Sequence, residues 1–318
     1  MAAENPVPDF VIPAPSARGR LLNRIVRMVV KRWPRNNPEL VVRRSRQLFG
    51  LPRHLTFIYA KNMTITPVDE SVRGEWVTPQ NYADPKRVIL YMHGGGYVSC
   101  STLSHRPITT ALARIAGVRV FSLDYRLAPE HPFPAAVDDA AAGYQWLLQQ
   151  GYAPANIAFA GDSAGGGLVV ATMLRLRKQS VPLPAAGVCF APWVDLTGKC
   201  NYCNGQDCSM FRGDDVATFA GLYLKGVPAE DCEASPVFGD LSGLPPLLIQ
   251  VSGSELLLDD ALRLHERAIS AGVRSRLDVY PGLPHVWQMF YGLIPEAELA
   301  LRAAADFMRT SLAANERE

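Results

Sequence analysis

From Leu55 onward the chain alternates two hydrophobic rhythms. Short runs of β-branched and aromatic residues bounded by Gly, Pro or Asn read as strands, and longer stretches with apolar residues every three or four positions read as helices. Strands are predicted at Val88–Met92, Val118–Leu123, Ile157–Ala160, Ala186–Phe190, Pro246–Val251 and Arg276–Tyr280. Helices are predicted at Ile108–Ala116, Ala135–Gln150, Ala164–Gln179, Ala261–Ala271 and Ala297–Leu312. Such alternation produces a mainly parallel sheet with helices on both faces. Upstream, Leu55–Thr66 and Gly74–Thr78 predict an antiparallel start to the same sheet, which brings the expected strands to eight.

Two segments break this rhythm. In the first fifty residues, Leu21, Leu22, Ile25, Met28 and Val29 fall on one helical face and Arg20, Arg24, Arg27 and Lys31 on the other. The expectation is a helix whose apolar face packs over the domain as part of a lid; docking on a membrane surface is the alternative such helices also support. The second break, at about 198–226, is expected to complete the lid. The resulting division is residues 1–50 as the N-terminal part of a helical cap and 51–318 as a catalytic domain carrying the 198–226 insertion.

Length and charge narrow the picture. The 318 residues suit one large α/β domain with some tens of residues to spare. A net charge of +2 offers no overall basic excess for a phosphate backbone, so nucleic acid is not an expected partner. Charge is uneven, however: residues 1–50 hold ten Lys/Arg against Glu4, Asp9 and Glu39, a net of +7, leaving about −5 for the rest. No run of eighteen apolar residues predicts a membrane span, and Glu4 and Asp9 occupy the place of a secretory signal's basic region. Six sparse cysteines fit reduced thiols, so a cytoplasmic location is expected.

The strongest chemical signal is Gly161-Asp162-Ser163-Ala164-Gly165, which follows one predicted strand and opens a predicted helix. A nucleophile elbow needs this arrangement: a sharp turn projects the serine hydroxyl above the sheet, and flanking glycines let strand and helix approach. A glycine-rich turn at a helix start can instead cradle phosphate, but neither G-x-G-x-x-G nor G-x-x-x-x-G-K-[ST] is present. The second signal is His93-Gly94-Gly95-Gly96-Tyr97, directly after the strand Val88–Met92. A tetrahedral intermediate needs converging N–H donors, and glycines can turn their amides inward, so the amides of Gly95, Gly96 and Ala164 are the candidate oxyanion hole.

A serine hydroxyl needs a base, and in this fold the base follows late in the chain. His285 lies after the last predicted strand in Pro281-Gly282-Leu283-Pro284; His54, His105, His131 and His265 fall before the elbow or on a helix. The acid must lie between serine and histidine. Glu255, in the loop after Pro246–Val251, is the candidate; Asp259, Asp260 and the more distant Asp195 compete with it. Tyr97, Trp193, Phe211, Val286 and Trp287 are expected at the pocket edges.

With these motifs in place, together with Asp124-Tyr125-Arg126-Leu127-Ala128-Pro129-Glu130 and Pro192-Trp193-Val194-Asp195-Leu196, the chain resembles the hormone-sensitive-lipase family of carboxylesterases over about residues 75–310. The resemblance implies an α/β-hydrolase fold and a lid built from the N-terminal region plus an insertion after the sixth strand. It also implies hydrolysis of short- to medium-chain esters through Ser163, Glu255 and His285, with no metal and no organic cofactor. Most members resembling this chain carry Asp where Glu255 stands; the extra methylene still lets the carboxylate accept the His285 ring N–H. His93 and Asp162 read as supports of the oxyanion loop. Cys200, Cys203 and Cys208 could supply three of the four ligands a structural zinc normally takes, and no histidine or fourth cysteine lies close until Cys232, so no metal is expected. The expected partner is a small-molecule ester, with a homodimer and peripheral membrane contact through the basic N-terminal helix as further possibilities. Plant hormone receptors resembling this family lack the catalytic histidine, whereas His285 is present; an amide or formamide hydrolase with the same triad is the remaining alternative.

Overall fold

A run such as Val88–Met92 has no polar position to turn toward water, so it is stable where both faces of a sheet are covered. The computed structural model, which describes residues 10–11, 14–30, 38–48, 59–82, 84–199 and 208–314, buries that strand from end to end between two parallel neighbours. The strands are β1 (Phe10–Val11), β2 (Met63–Asp69), β3 (Arg73–Pro79), β4 (Val88–Met92), β5 (Arg119–Leu123), β6 (Ile157–Asp162), β7 (Ala186–Phe190), β8 (Leu247–Ser252) and β9 (Ser275–Tyr280). They form one sheet in the order β1-β9-β8-β7-β6-β4-β5-β3-β2. Pairing is antiparallel at β2–β3 and β3–β5 and parallel elsewhere.

The helices are α1 (Ala17–Val30), α2 (Pro38–Leu48), α3 (Arg106–Ala116), α4 (Ala135–Gln149), α5 (Ala164–Lys178), α6 (Gly213–Leu224), α7 (Leu258–Ser270) and α8 (Pro295–Ala314). Alternate residues of each strand serve opposite layers, as a period of two requires. Ile89 and Tyr91 join a core with Ile108 and Leu112 of α3 and Leu301 and Met308 of α8. Val88, Leu90 and Met92 join the larger core with Tyr144 of α4, Leu168 of α5 and Leu264 of α7. The helices thus bury both sheet faces and leave the strand ends, where the loops of interest emerge, as the open edge.

The eight expected strands are present, with two differences. The antiparallel start begins at Met63 rather than Leu55, residues 55–58 lying outside the described ones. A ninth, two-residue strand, β1, comes from the segment assigned wholly to the cap and pairs with β9 at the sheet edge, Phe10 opposite Asp278.

The orientation of α1 corrects a second expectation. It buries Gly19, Val26 and Val30, with Leu22 and Asn23 half-buried, while Leu21, Ile25, Met28 and Val29 face outward. Close approach explains the choice. A Cβ on Gly19 would lie 2.9 Å from the Leu283 side chain and 3.1 Å from the Glu296 carboxylate, so α1 packs closely against both residues there. Polar anchors hold the same face: the Ser16 N–H donates to Glu296 Oε1 at 2.5 Å and Asn23 Nδ2 to the Gly282 carbonyl at 3.0 Å. Lys31 lies outside the described residues. Among the described residues, no helix is long and apolar enough to cross a membrane.

Candidate active site

The loop between β6 and α5 is a single residue, Ser163, with φ 54° and ψ −122°. A non-glycine residue at positive φ outside the left-handed helical well costs roughly 1–3 kcal/mol and persists only where its surroundings hold it. Here its N–H donates to Phe190 O at 2.8 Å, and its carbonyl accepts from Trp193 N at 2.9 Å and Gly167 N at 3.1 Å. The sharp turn brings α5 hard against the end of β4: a Cβ on Gly165 would lie 2.1 Å from the Met92 carbonyl oxygen. Gly165→Ala is therefore expected to lower stability by about 3 kcal/mol or more, since backbone rather than a movable side chain would have to yield. A urea midpoint unchanged from wild type would contradict this.

The loop after β4 has Gly95 at φ 112° and Gly96 at φ 62°, conformations open to glycine. The Gly95 carbonyl is turned away and accepts from Val98 N, Ser99 N and Ser99 Oγ. Among the described residues no acceptor takes the amide N–H of Gly95, Gly96 or Ala164, and Ala164 is the first residue of α5, where helix amides are unpaired and the dipole favours negative charge.

A buried network stands behind this loop. Asp162 Oδ1 accepts from Tyr91 OH at 2.6 Å and from Gly94 N at 3.0 Å, while Oδ2 lies 3.1 Å from His105 Nε2. Burial works against this carboxylate's charge, but His105, Tyr91 and His93 together hold its pKa below the usual value. His93 Nδ1 donates to the Gly94 carbonyl at 2.7 Å and its ring stacks on Tyr125 at 4.3 Å. Burial first, then the neighbouring His105, lowers the His93 pKa to about 3, so the ring stays neutral. His93 and Asp162 both touch the loop they were expected to support. His105, set aside in the sequence because it precedes the elbow, belongs to this network; only the fold places it beside Asp162.

Glu255 and His285 emerge side by side, after β8 and β9, which are adjacent parallel strands. Ser252 Oγ donates to the Leu283 carbonyl at 2.8 Å, tying the two loops together. His285 Nδ1 lies 3.3 Å from Glu255 Oε2; a carboxylate can only accept, so the proton sits on Nδ1 and Nε2 is left as the basic end. Both side chains are buried. The competing acids are elsewhere engaged. Asp260 is fully buried in the first turn of α7, where Oδ2 accepts from Val194 N at 2.8 Å and Asp195 N at 2.9 Å. Asp195 bonds Arg263 at 2.5 Å and the Thr197 hydroxyl at 2.6 Å. Asp259 stands half-buried beside Asp260 at the start of α7.

Ser163, His285, Glu255, Gly95 and Gly96 all line one cavity of about 330 Å³. Of the five residues expected at its edges, Trp193, Phe211 and Val286 line it and Tyr97 and Trp287 do not. Tyr97 is drawn inward by stacking on Tyr223 at 3.8 Å, and Trp287 is buried against Tyr280 at 4.7 Å with its indole N–H toward the Glu296 carbonyl. The remaining wall includes Tyr59, Phe219, Leu256, Met289, Phe290 and Leu293, which no short motif marks in the sequence. The Phe211 ring stands edge-on to the His285 imidazole at 5.3 Å and to Phe219 of α6 at 6.4 Å. Cys208 also faces the cavity; Cys200 and Cys203 lie outside the described residues.

A serine held at a strand-to-helix turn, an acid and a histidine on the loops after β8 and β9, and a glycine loop beside them are the layout of an α/β hydrolase, and a family described by the α/β-hydrolase fold matches residues 89–289. The chain belongs to that family, within its hormone-sensitive-lipase type. An acetyl-hydrolase of Streptomyces hygroscopicus is 41% identical over 275 residues, covering 82% of this chain and 90% of that protein. An esterase of Acinetobacter venetianus is 37% identical over 239 residues, 74% of this chain and 78% of its own length. The crystal structure of an esterase from the bacterial hormone-sensitive lipase family superposes with a TM-score of 0.86 at 40% identity, covering 94% of this chain and 99% of that one. The protein is a carboxylic ester hydrolase.

Proposed function

We propose that the protein is a serine carboxylesterase that cleaves short- to medium-chain esters through an acyl-enzyme intermediate. The observation that carries this reading is the convergence of Ser163 at positive φ and the Glu255–His285 pair on one largely apolar cavity. His285 Nε2 takes the Ser163 hydroxyl proton as Oγ attacks the ester carbonyl. The amide N–H groups of Gly95, Gly96 and Ala164 hold the oxyanion, and Glu255 stabilises the imidazolium. Collapse expels the alcohol with the proton from His285, and water then repeats the sequence to release the acid and restore Ser163.

A test follows from the covalent step. A 4-nitrophenyl phosphonate should modify the wild-type protein once, with the added mass on the peptide carrying Ser163, and should leave Ser163→Ala unmodified. Labelling at another residue, or persistent hydrolysis in the alanine variant, would contradict the proposal.

In the same reading α1, α2 and α6 form a cap over the cavity. Support comes from Val216 and Phe219 of α6 and the preceding Phe211, which line it, and from α1 resting on the loop that carries His285. The side chains of Phe211, Val216 and Phe219, which close one side of the cavity, limit the acyl group. Esters with about four to eight acyl carbons should be preferred, because each buried methylene contributes ~0.8 kcal/mol only until the space is filled. A panel of 4-nitrophenyl esters measures this, and efficient turnover of emulsified long-chain triglyceride would refute it.

A further inference from the structure

Among the described residues eight large apolar side chains are strongly exposed, and six of them fall in two groups, Phe238 and Ile269 standing apart. Four lie on α1: Leu21 at 58%, Ile25 at 44%, Met28 at 58% and Val29 at 58%. At intervals of four, three and one they form a single outward stripe on the helix. Two more, Leu293 at 59% and Leu299 at 44%, bracket Glu296, the residue to which the start of α1 is bonded. Leu293 also lines the cavity that holds Ser163. Exposed apolar side chains thus stand both on the outward face of α1 and, at Leu293, on the rim of the active-site cavity.

Charge decides what fits this surface. Arg18, Arg20, Arg24 and Arg27 are exposed on α1, and the helix contains no acidic residue. An apolar stripe edged by arginines, whose long stems can lie along it while their charged ends reach outward, matches an anionic lipid surface with acyl chains below and negative headgroups above. A second copy of this chain would set four arginines near another four across a two-fold axis, because a symmetric interface brings the same patch to itself. We infer that α1, with Leu293 and Leu299, is a docking surface for anionic lipid, and that it brings the mouth of the active site against the membrane. Its purpose, delivery of apolar esters, rests on the esterase reading; the docking itself does not.

Sedimentation of the full chain with vesicles tests this without turnover. Vesicles of equimolar phosphatidylcholine and phosphatidylglycerol should carry the wild type and Ser163→Ala alike at low salt, and pure phosphatidylcholine should carry far less of either. High salt should release both. Each arginine near an anionic surface contributes roughly fivefold in partitioning, so Arg18→Gln/Arg24→Gln should lower it about 20- to 30-fold. Leu21→Gln/Ile25→Gln/Met28→Gln should lower it at least about tenfold through lost apolar burial. All these side chains are exposed and outside the catalytic cavity, so both multiple variants should hydrolyse water-soluble 4-nitrophenyl acetate as the wild type does. Failure of the wild type to sediment with anionic vesicles, or binding unchanged in both variants, would overturn the inference. So would a wild-type dimer in analytical ultracentrifugation that the triple variant dissociates, since the stripe would then be covered by its own copy. In each case phosphonate labelling of Ser163 still judges the esterase mechanism separately.

Discussion

Ser163→Ala and His285→Ala should each lower kcat on 4-nitrophenyl butyrate by roughly 10⁴- to 10⁶-fold, and the double variant should be little worse than either. The two groups serve one event. Without the hydroxyl there is nothing for the imidazole to activate, and without the imidazole the hydroxyl keeps its proton, so removing the second partner removes little more. The remaining rate would come from binding and from the amides of Gly95, Gly96 and Ala164, which neither substitution touches. Folding should be preserved, because the hydrogen bonds holding position 163 are made by its backbone and alanine keeps them. Thermal unfolding of each variant checks that point. Losses that add fully in the double variant would mean the residues act in separate steps.

Glu255→Gln should reduce kcat by up to about 10⁴-fold with little effect on folding, whereas Glu255→Asp should keep a measurable fraction. The acid's contribution is its charge and its contact with His285 Nδ1 at 3.3 Å. Glutamine removes the charge that stabilises the imidazolium, and its amide can turn an N–H toward the ring and favour the wrong tautomer. Aspartate keeps the charge but draws it back by one methylene. Asp260→Asn provides the contrast: its carboxylate holds two backbone amides of the loop after β7, and a hydrogen bond to a buried charged group contributes about 1.5–3 kcal/mol, so its loss should appear first in stability. Should Asp259→Asn abolish activity while Glu255→Gln remains within tenfold of wild type, the assignment of the acid would have to move to Asp259.

The strands and the order of the candidate residues were legible because they follow from local pattern. Val88–Met92 has no polar residue to place outside, and a serine between glycines at a strand-to-helix junction has few other uses. The choice of Glu255 over Asp259 rested on distance along the chain from the end of a strand, and the structure pairs Glu255 with His285 because β8 and β9 are parallel neighbours. The cavity wall was only partly legible. Tyr97 and Trp287 stand next to motif residues in the chain, but direction is set by what each ring packs on, and Tyr223 and Tyr280 draw them inward.

Helix α1 marks the boundary most clearly. That it is an amphipathic helix was determined by the sequence alone, since the spacing of Leu, Ile, Met, Val and Arg leaves little other regular structure open. Which stripe turns inward was decided by tertiary structure. Hydrophobic periodicity ranks faces by the size of their side chains, and that ranking favours Leu21, Ile25 and Met28. The inward face is instead the one that complements Leu283 and Glu296: Gly19 packs closely on them, and Ser16 and Asn23 hydrogen-bond to Glu296 and Gly282 on either side. The same holds for His105 and Asp162, 57 positions apart in the chain and 3.1 Å apart in space. Periodicity is a property of neighbours along the chain, whereas complementarity of shape and charge exists only once the two surfaces have met.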